Sequence, residues 1–384
     1  MIRNWLIDVE FDQYLLGGVP SMVSPNSTLT DPIWCRRVPC AIWHDVTILA
    51  PWDLYKETGD KAILSRQYKS MTIWMRVFPR GKVSLAHLWH PTVFQLGGAT
   101  DAGMVFNMFL IQSLDLMVQI SVILDKTAEQ EFYVKDCQAA REEFQAEFVT
   151  ANGRLVSDSQ ASHALAICLD MLTPSQRNRA GERLVELVRK NEFKISTGFA
   201  GTPYVCAALA TTGNIQVAYA MLLEKKCPSW LYPVTMGTTT LWERWDSMHP
   251  DGSINSGNMK TSFNHYAYGA IAKFLYEKVA GLQQLEPGWT KFRIAPQIGA
   301  DFESASAGHE SWYGLITFSW ETKVMDGGKE EIFLEPTIPN DTRAEIVLPQ
   351  DDGELRQEVG SERWNLRSTF IRNHNWPVTA LPPK

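Results

Sequence analysis

The stretch Thr58-Gly59-Asp60 contains both the end of one helix and the start of the next. Glycine readily adopts the left-handed conformation in which many helices end, and aspartate is a preferred N-cap residue. The stretch therefore predicts that a helix over 42–58 ends in a tight turn and that a second helix over 60–77 follows at once. Thr212-Gly213-Asn214 predicts another turn of the same kind.

Two further stretches have the pattern of a capping box, in which a threonine and a glutamine three residues later satisfy each other's backbone amides. They are Thr127-Ala128-Glu129-Gln130 and Thr173-Pro174-Ser175-Gln176. Between such signals the apolar residues recur with helical spacing, which predicts helices near 1–15, 42–58, 60–77, 103–124, 128–149, 159–171, 174–191, 201–211, 214–225 and 261–280. Helices of this length joined by short turns are typical of stacked antiparallel hairpins.

The character of the sequence changes around 283–288, where glycine and proline become frequent and alternating patterns replace helical ones. Strands are predicted at 291–294, 315–320, 330–334 and 344–348. Several short alternating strands favour a compact antiparallel β-sandwich. The sequence therefore predicts three parts: a helical domain over 1–282, a sandwich domain over 283–370 and a tail over 371–384. The chain after about 365 is expected to be loosely held.

Composition excludes several classes of protein. The 384 residues include 45% apolar and 21% charged side chains, as in a globular protein, and the formal charge is −7. A chain with this charge has no basic field to attract phosphates, so nucleic acid is not an expected partner. No uninterrupted apolar run approaches the roughly 20 residues that cross a bilayer, so no membrane is expected either. The first residues lack the pattern of a signal peptide, and the compartment and the oligomeric state stay open.

The cysteines and histidines show no metal-binding pattern. None of the six cysteines stands in a CxxC motif, and several lie in apolar helical runs, which favours buried free thiols over disulfides or a zinc site. The eight histidines have no HExxH-type spacing.

The segment Leu241-Trp242-Glu243-Arg244-Trp245-Asp246 is the strongest candidate for a functional site, with Asn264-His265-Tyr266 some twenty residues later. A lone acid between indole rings is placed where desolvation raises its proton affinity, and flat aromatic faces pack well against sugar rings. The alternative is structural: the two tryptophans anchor a core, and Glu243 pairs with Arg244.

Several ordered motifs resemble the α-L-rhamnosidases of glycoside hydrolase family 78. They are Gly198-Phe199-Ala200-Gly201-Thr202-Pro203-Tyr204, Pro228-Ser229-Trp230-Leu231-Tyr232-Pro233, Gly237 to Asp246, Ser262 to Gly269, Phe292 to Gln297 and Ser311 to Ile316, with weaker matches at Gly17 to Pro20 and Pro39 to Asp45. The resemblance implies an (α/α)6-type helical toroid followed by a β-sandwich. It also implies hydrolysis of terminal α-L-rhamnosyl bonds with inversion, on a rhamnose-containing glycoside or polysaccharide, with no metal or organic cofactor.

The resemblance also suggests roles for single residues. Glu243 matches the family's general base, and His265 matches a histidine that contacts the sugar. Trp43 matches an aromatic side chain lining the pocket, with Asp45 beside it. Trp242 is a further candidate for the substrate-binding set, although support of the loop that carries Glu243 is the other role open to it and to Trp245.

The chain departs from the family in two places. The family's general acid lies in a segment before the helix that corresponds to Met1–Asp12, and this chain opens after that segment, so the toroid is expected to be incomplete. A second gap follows Phe94-Gln95-Leu96-Gly97, where relatives carry another pocket tryptophan. Asp45, Asp101 and Glu10 are the candidates by location to replace the acid.

Three functions therefore remain open. The first is an α-L-rhamnosidase-type glycosidase, with impaired turnover in this chain. The second is a catalytically inactive sugar-binding or structural remnant of the same family. The third is a polysaccharide lyase, in which Tyr266 beside His265 would act on a uronate, although the Trp-Glu-Arg-Trp motif argues against it.

Overall fold

Helices precede strands in the computed structural model, which describes residues 1–18, 41–77, 100–255, 261–372 and 376–382. The chain divides into two units. The first holds the described residues of Met1–Val93, Ala99–Ser157 and Leu169–Met171, and the second holds those of Asp158–Cys168 and Leu172–Lys384. Cys35, Cys40 and the predicted gap after Gly97 lie outside the described residues.

The predicted helices are found close to their predicted bounds. Among the described residues they are α1 (Ile2–Leu16), α2 (Val46–Thr58), α3 (Lys61–Val77), α4 (Ala102–Ile123), α5 (Thr127–Phe148), α6 (Gln160–Cys168), α7 (Pro174–Lys190), α8 (Thr202–Thr211), α9 (Ile215–Leu223), α10 (Leu231–Thr235) and α11 (Ile271–Phe274). The short α10 was not predicted, because five residues are too few to show a helical period.

The predicted turns between helices are confirmed. Gly59 ends α2 with φ 72°, and the Asp60 carboxylate accepts a hydrogen bond from the amide of Ala62 at 2.9 Å at the start of α3. Gly213 has φ 79° between α8 and α9. Glycine adopts this left-handed conformation without the steric cost that other residues bear.

One predicted capping box is confirmed and the other is wrong. At α7, Thr173 Oγ1 accepts from the amide of Gln176, and Gln176 Oε1 accepts from the amide of Thr173. At α5 the N-cap is Lys126, and no side chain caps the helix. The chain turns at Asp125, with φ 55°, so that Thr127 already lies inside the first helical turn.

Helix α4 is apolar and forms much of the core of the first unit. By length and apolar composition alone it could cross a membrane. However, 61% of its apolar 18-residue stretch is buried inside the fold, and α4 packs against α2, α3 and α5. This burial is typical of a core helix. At its N-terminus the Asp101 carboxylate accepts from the amide of Met104 at 2.7 Å.

The last predicted helix, 261–280, begins five residues later than expected. A 3₁₀ turn (Tyr266–Ala270) leads into α11, and a π-helical turn (Leu275–Ala280) follows. Residues 261–265 are not helical because their backbone pairs with another loop, for example through the amide of Glu243 and the carbonyl of Ser262 at 2.9 Å.

The strands form two sheets. They are β1 (Leu282–Gln284), β2 (Lys291–Ile294), β3 (Ser304–Ser311), β4 (Gly314–Val324), β5 (Glu330–Ile338), β6 (Arg343–Gln350), β7 (Gly353–Val359), β8 (Glu362–Arg363) and β9 (Leu366–Phe370). One sheet has the order β1-β2-β6-β7. The other has the order β3-β4-β5-β8, with β9 also paired to β5. The predicted antiparallel arrangement holds except for β2 and β6, which run parallel.

The two sheets share one apolar core, as expected of a sandwich. Phe292 and Ile346 come from the first sheet, and Phe318, Trp320 and Ile332 from the second, and all are at most 3% exposed. The expectation of a loosely held chain after about 365 is wrong for β9, which pairs with β5 over five residues. The division into parts at 282/283 and 370/371 stays a prediction.

The thiols are free where the structure describes them. Cys137 and Cys206 are buried, and Cys168 and Cys227 are partly buried. Burial raises the pKa of Cys137, Cys168 and Cys227 to about 11, so these thiols are protonated at neutral pH. The prediction of free cysteines is confirmed for these four.

Candidate active site

Two loops of the second unit, residues 240–246 and 261–265, lie side by side. The amide of Glu243 donates to the carbonyl of Ser262 at 2.9 Å, and the amide of His265 donates to the carbonyl of Leu241 at 2.8 Å. The hydroxyl of Thr240 donates to the carbonyl of Phe263 at 2.6 Å. This pairing brings together Glu243 and His265, the two residues that the sequence singled out.

The Glu243 carboxylate is held at one oxygen only. Its Oε2 accepts a hydrogen bond from the amide of Ser262 at 2.8 Å. Its Oε1 accepts no hydrogen bond from the residues that the structure describes, and the side chain is partly exposed. A carboxylate fixed at one oxygen and open at the other can receive a proton in a defined direction.

Arg244 does not pair with Glu243. Its guanidinium binds Asp246 with two hydrogen bonds, of 3.2 Å from Nε and 3.3 Å from Nη2. Asn255 also donates to the Asp246 carboxylate, at 2.9 Å. The alternative in which Arg244 neutralises Glu243 is therefore wrong, because Arg244 and Asn255 both bind Asp246.

The His265 ring is positioned by stacking and by one hydrogen bond. It lies parallel to the Phe199 ring, with 4.8 Å between the centroids and 9° between the planes. Its Nδ1 accepts from the amide of Ala267 at 3.4 Å. In the neutral ring the proton then lies on Nε2, which becomes a hydrogen-bond donor.

The two tryptophans that flank Glu243 are buried, at 2% exposure for Trp242 and 3% for Trp245. The indole of Trp242 donates to the hydroxyl of Thr238 at 3.2 Å. Trp245 stacks on Tyr268 at 3.9 Å between centroids and meets Trp230 edge to face. Burial favours a supporting role for both indoles, and contact of Trp242 with a sugar stays a prediction.

Trp43 and Asp45 belong to the first unit. Trp43 is partly exposed, whereas Asp45 is fully buried. The Asp45 carboxylate accepts from the amide of Ile42 at 2.7 Å and from the indole of Trp74 at 2.9 Å. Burial, opposed by these hydrogen bonds and one from Ser113, raises the pKa of Asp45 to about 6. The role of both residues in substrate binding stays a prediction.

The three candidates to replace a general acid differ in how far local hydrogen bonds and burial already engage their carboxyl groups. Both oxygens of Asp45 accept hydrogen bonds, and Asp101 caps α4. Glu10 is partly buried on α1. Because Asp45 and Asp101 already hydrogen bond within the fold, neither is favoured as a proton donor to a substrate.

Sequence reasoning missed the residues that position the candidate site. Ser262 and Phe199 lie within quoted motifs, yet no role was predicted for them. Ser262 acts through its backbone amide, which leaves no trace in residue type. Phe199 stacks on a histidine 66 positions away, and no local pattern reveals such a pair.

The chain matches two family models. Residues 1–279 match the bacterial α-L-rhamnosidase six-hairpin glycosidase domain, and residues 281–363 match the bacterial α-L-rhamnosidase C-terminal domain. Curated relatives are similar along almost the whole chain. An α-L-rhamnosidase of Formosa agariphila is 33% identical over 91% of this chain, and one of Streptomyces avermitilis is 30% identical over 97%.

Solved structures agree. The native α-L-rhamnosidase from Aspergillus terreus is 33% identical, with a TM-score of 0.85 over 96% of this chain and 43% of its own. The Streptomyces avermitilis enzyme in complex with L-rhamnose is 28% identical, with a TM-score of 0.86 over 95% of this chain and 36% of its own. These likenesses confirm the predicted fold class.

The chain spans 38% and 34% of the length of the two curated relatives. Within that span the helical and strand-rich regions each match their own family model, and the family match sets the lyase alternative aside. The chain therefore belongs to the bacterial α-L-rhamnosidase family with a six-hairpin glycosidase domain.

Proposed function

We propose that this chain carries the general base of an inverting glycoside hydrolase that removes terminal α-L-rhamnose from glycosides or polysaccharides. The base is Glu243. The observation that carries the proposal is the state of its carboxylate, with Oε2 held by the amide of Ser262 and Oε1 open. Family membership supplies the substrate class, because the relatives that the chain resembles are α-L-rhamnosidases.

Inverting hydrolysis needs a base that takes a proton from water and an acid that protonates the leaving oxygen. The two carboxyl groups stand about 6.5–9.5 Å apart, because the water has to fit between the base and the sugar. In the proposed reaction the water hydrogen bonds to Glu243 Oε1 and loses its proton to it as the oxygen bonds to the anomeric carbon. The bond to the leaving oxygen breaks at the same time. No residue of this chain is assigned as the acid.

His265 is proposed to bind a sugar hydroxyl. Its Nε2 carries the proton because Nδ1 accepts from the amide of Ala267, so the ring offers a donor in a fixed direction. Stacking on Phe199 limits rotation of the ring. A substrate held in this way would present its anomeric carbon to the water at Glu243 without further ordering of the site.

The experiment measures release of p-nitrophenol from p-nitrophenyl α-L-rhamnoside by the purified 384-residue chain. Glu243→Gln keeps the shape of the side chain but removes the base, and we expect a rate loss on the order of 10²–10⁴-fold. Glu182→Gln, on the exposed face of α7, is the matched control and should keep the rate. A Glu243→Gln variant as active as the parent would exclude Glu243 as the base.

The anomeric form of the product tests the mechanism separately. Inversion at an α-linked rhamnoside yields β-L-rhamnose first, which proton NMR detects before mutarotation. Initial release of α-L-rhamnose would contradict the inverting mechanism. If the chain releases no rhamnose but L-rhamnose still quenches its tryptophan fluorescence, the inactive sugar-binding alternative would replace the proposal.

A further inference from the structure

A cavity of about 490 Å³ lies within the second unit, apart from the two loops that carry Glu243 and His265. It is bounded by the turn between α8 and α9, by the π-helical turn at Leu275–Ala280, and by the sheet β1-β2-β6-β7. None of its lining residues belongs to 240–246 or 261–265. Cavities of this size accommodate small-molecule ligands.

Among the described residues, three cations line the cavity, and two of them are already neutralised. Arg293 binds the carboxylate of Glu345 at 2.8 Å, and Arg356 binds the same carboxylate at 3.0 Å. Arg356 also binds Glu354 at 2.6 Å. These two guanidiniums and two carboxylates cancel in charge, so they attract no further anion.

The third cation, Lys278, has no carboxylate partner among the described residues. Its neighbour in sequence, Glu277, lies 3.7 Å from Lys273 on the exposed side of the same helical segment. Burial lowers the pKa of Lys278 below its ordinary value, and the charge of the nearby Glu277 opposes this shift only in part. A partly buried cation that no carboxylate binds directly is unfavourable, and a bound anion would relieve that cost.

A side-chain oxygen without a hydrogen-bond partner among the described residues lies next to this lysine. The backbone amide of Gln297 donates to the carbonyl of Lys278 at 2.9 Å, which fixes the two residues side by side. The side-chain oxygen of Gln297 is buried and has no hydrogen-bond partner among the described residues. Buried acceptors are almost always satisfied, so this one points to a donor that a ligand would bring.

The rest of the lining is mixed. Pro296, Ile298, Leu348 and Phe370 contribute apolar side chains beside the cation, the side-chain amide and the paired charges of Arg293, Arg356 and Glu354. A ligand that fits this set has one negative charge, at least one hydroxyl that donates a hydrogen bond, and an aliphatic face. A pyranose ring with a carboxylate has all three properties, whereas a phosphate dianion has neither the single charge nor the aliphatic face.

We propose that this cavity is a second binding site that takes a sugar acid, with the carboxylate on Lys278 and a ring hydroxyl on Gln297. The chain as a whole is acidic, at −7, so general attraction of anions does not account for such binding. The site is independent of hydrolysis at Glu243. A failure of one proposal therefore leaves the other standing.

The test is calorimetric titration of the full chain with sodium D-glucuronate, with D-glucose and inorganic phosphate as comparison ligands. We expect glucuronate to bind and glucose to bind at least about tenfold more weakly, since a charge-assisted hydrogen bond accounts for a difference of this size. Lys278→Met should weaken glucuronate binding by about tenfold or more and leave glucose unchanged. Raising the salt concentration should weaken glucuronate binding in the parent chain.

Lys273→Met is the matched control, because Lys273 is 78% exposed and lies five residues away on the same segment. It should bind glucuronate as the parent does, and so should Glu243→Gln. Gln297→Leu should weaken both glucuronate and glucose, which separates the hydroxyl contact from the charge. Thermal unfolding of each variant checks that it folds.

Three results would overturn the proposal. The first is absence of glucuronate binding up to about 10 mM, a concentration at which even weak sites are occupied. The second is equal loss in the Lys278→Met and Lys273→Met variants, which would indicate a general charge effect. The third is tighter binding of phosphate than of glucuronate, which would assign the cavity to inorganic anions.

Discussion

Burial shifts the pKa values of the neighbouring residues His44 and Asp45 in opposite directions. Asp45 is fully buried and its pKa is raised to about 6, while the pKa of His44 is lowered to about 4. Both residues therefore favour their neutral forms near pH 5. Edge-to-face contact of His44 with Trp74, whose indole donates to Asp45, joins them in one cluster.

The two shifts have opposite effects on stability. Between pH 4 and 6 the folded chain holds the Asp45 proton more tightly than the unfolded chain, so the Asp45 contribution falls as pH rises. His44 binds fewer protons when folded than when unfolded from about pH 4 to 6.5, so its contribution rises with pH. Each amounts to about 3 kcal/mol across its window. The parent chain should therefore show little net change in unfolding free energy from these two groups.

Single variants should separate the two contributions. Asp45→Asn leaves only the histidine, so the free energy of unfolding should rise by about 3 kcal/mol between pH 4 and 6.5. His44→Gln leaves only the carboxyl group, so the same quantity should fall between pH 4 and 6. Urea unfolding at a series of pH values measures both slopes. If the unfolding free energy of both variants changed with pH in the same direction, burial would not shift the pKa values of His44 and Asp45 as described.

The candidate site was partly predictable at the residue scale. The residue types in the two motifs, together with their resemblance to the family, made Glu243 and His265 candidates, because chemistry-bearing side chains leave a signal in residue type. The pairing of Arg244 with Asp246 was less clear, since three charged groups within four positions allow more than one ion pair. The amide that holds Glu243 was not predictable at all, because every residue except proline has one.

The starts of α5 and α7 offer a matched pair at the scale of the helix. Both have the capping-box sequence, but only Thr173 makes the capping hydrogen bonds. Thr173→Ala should therefore lower the free energy of unfolding by about 1 kcal/mol. Thr127→Ala should change it by less than about 0.5 kcal/mol, because that hydroxyl caps nothing. Guanidinium unfolding of the two variants measures the difference, and equal losses would contradict the assigned caps.

Gly281 connects the last helical turn to β1 in a conformation that leaves no room for a side chain. Its φ is 105°, and a Cβ would lie 2.4 Å from the backbone nitrogen of Pro296. Gly281→Ala should therefore lower the free energy of unfolding by about 3 kcal/mol or more. This loss is larger than left-handed strain alone would cause. Gly213→Ala is the control, since φ is 79° there and nothing lies within 4 Å, and it should cost about 1 kcal/mol. A similar cost at both positions, measured by thermal unfolding, would show that the contact with Pro296 is unimportant.

Helices were easier to predict than strands because their signals are local. Capping residues and the 3.6-residue period lie within the helix itself, and among the described helices only the five-residue α10 was not predicted. The strand β3, with the sequence Ser-Ala-Ser-Ala-Gly-His-Glu-Ser, alternates only serine with alanine, and β7 has three charged residues among its seven, so both have a weak apolar pattern. They are defined by the strands they pair with, and strand propensity depends on such partners.

At the scale of the molecule, the second unit joins helices and strands. Tyr219 on α9 donates to the carbonyl of Gln297 at 2.6 Å, and Gln216 on the same helix accepts from the amide of Ala300 at 2.8 Å. The indole of Trp320 in β4 donates to the carbonyl of Val279 at 3.1 Å. The change of pattern near 283 marks a change of secondary structure, and no sequence pattern indicates that the packing continues across it.

Arg372, two residues after β9, is the most extensively bonded cation in the described part of the sandwich. It makes five hydrogen bonds: two to Glu330, two to the carbonyls of Ala300 and Phe302, and one to Thr322. The side chains of Arg372 and Glu330 are only 13% and 11% exposed. This ion pair fixes a part of the chain that the sequence assigned to a tail.

Arg372→Met should lower the free energy of unfolding by about 3–5 kcal/mol, because the Glu330 carboxylate would stay buried without its partner. Adding Glu330→Gln should recover part of that loss, since the unpaired charge is then removed. Arg363→Met is the control: Arg363 lies 3.7 Å from Glu335, and both side chains are at least half exposed, so the loss should be below about 1 kcal/mol. Guanidinium unfolding monitored by tryptophan fluorescence measures all three. If Arg372→Met unfolds at the same denaturant concentration as Arg363→Met, the residues beyond β9 contribute no more to stability than an exposed tail would.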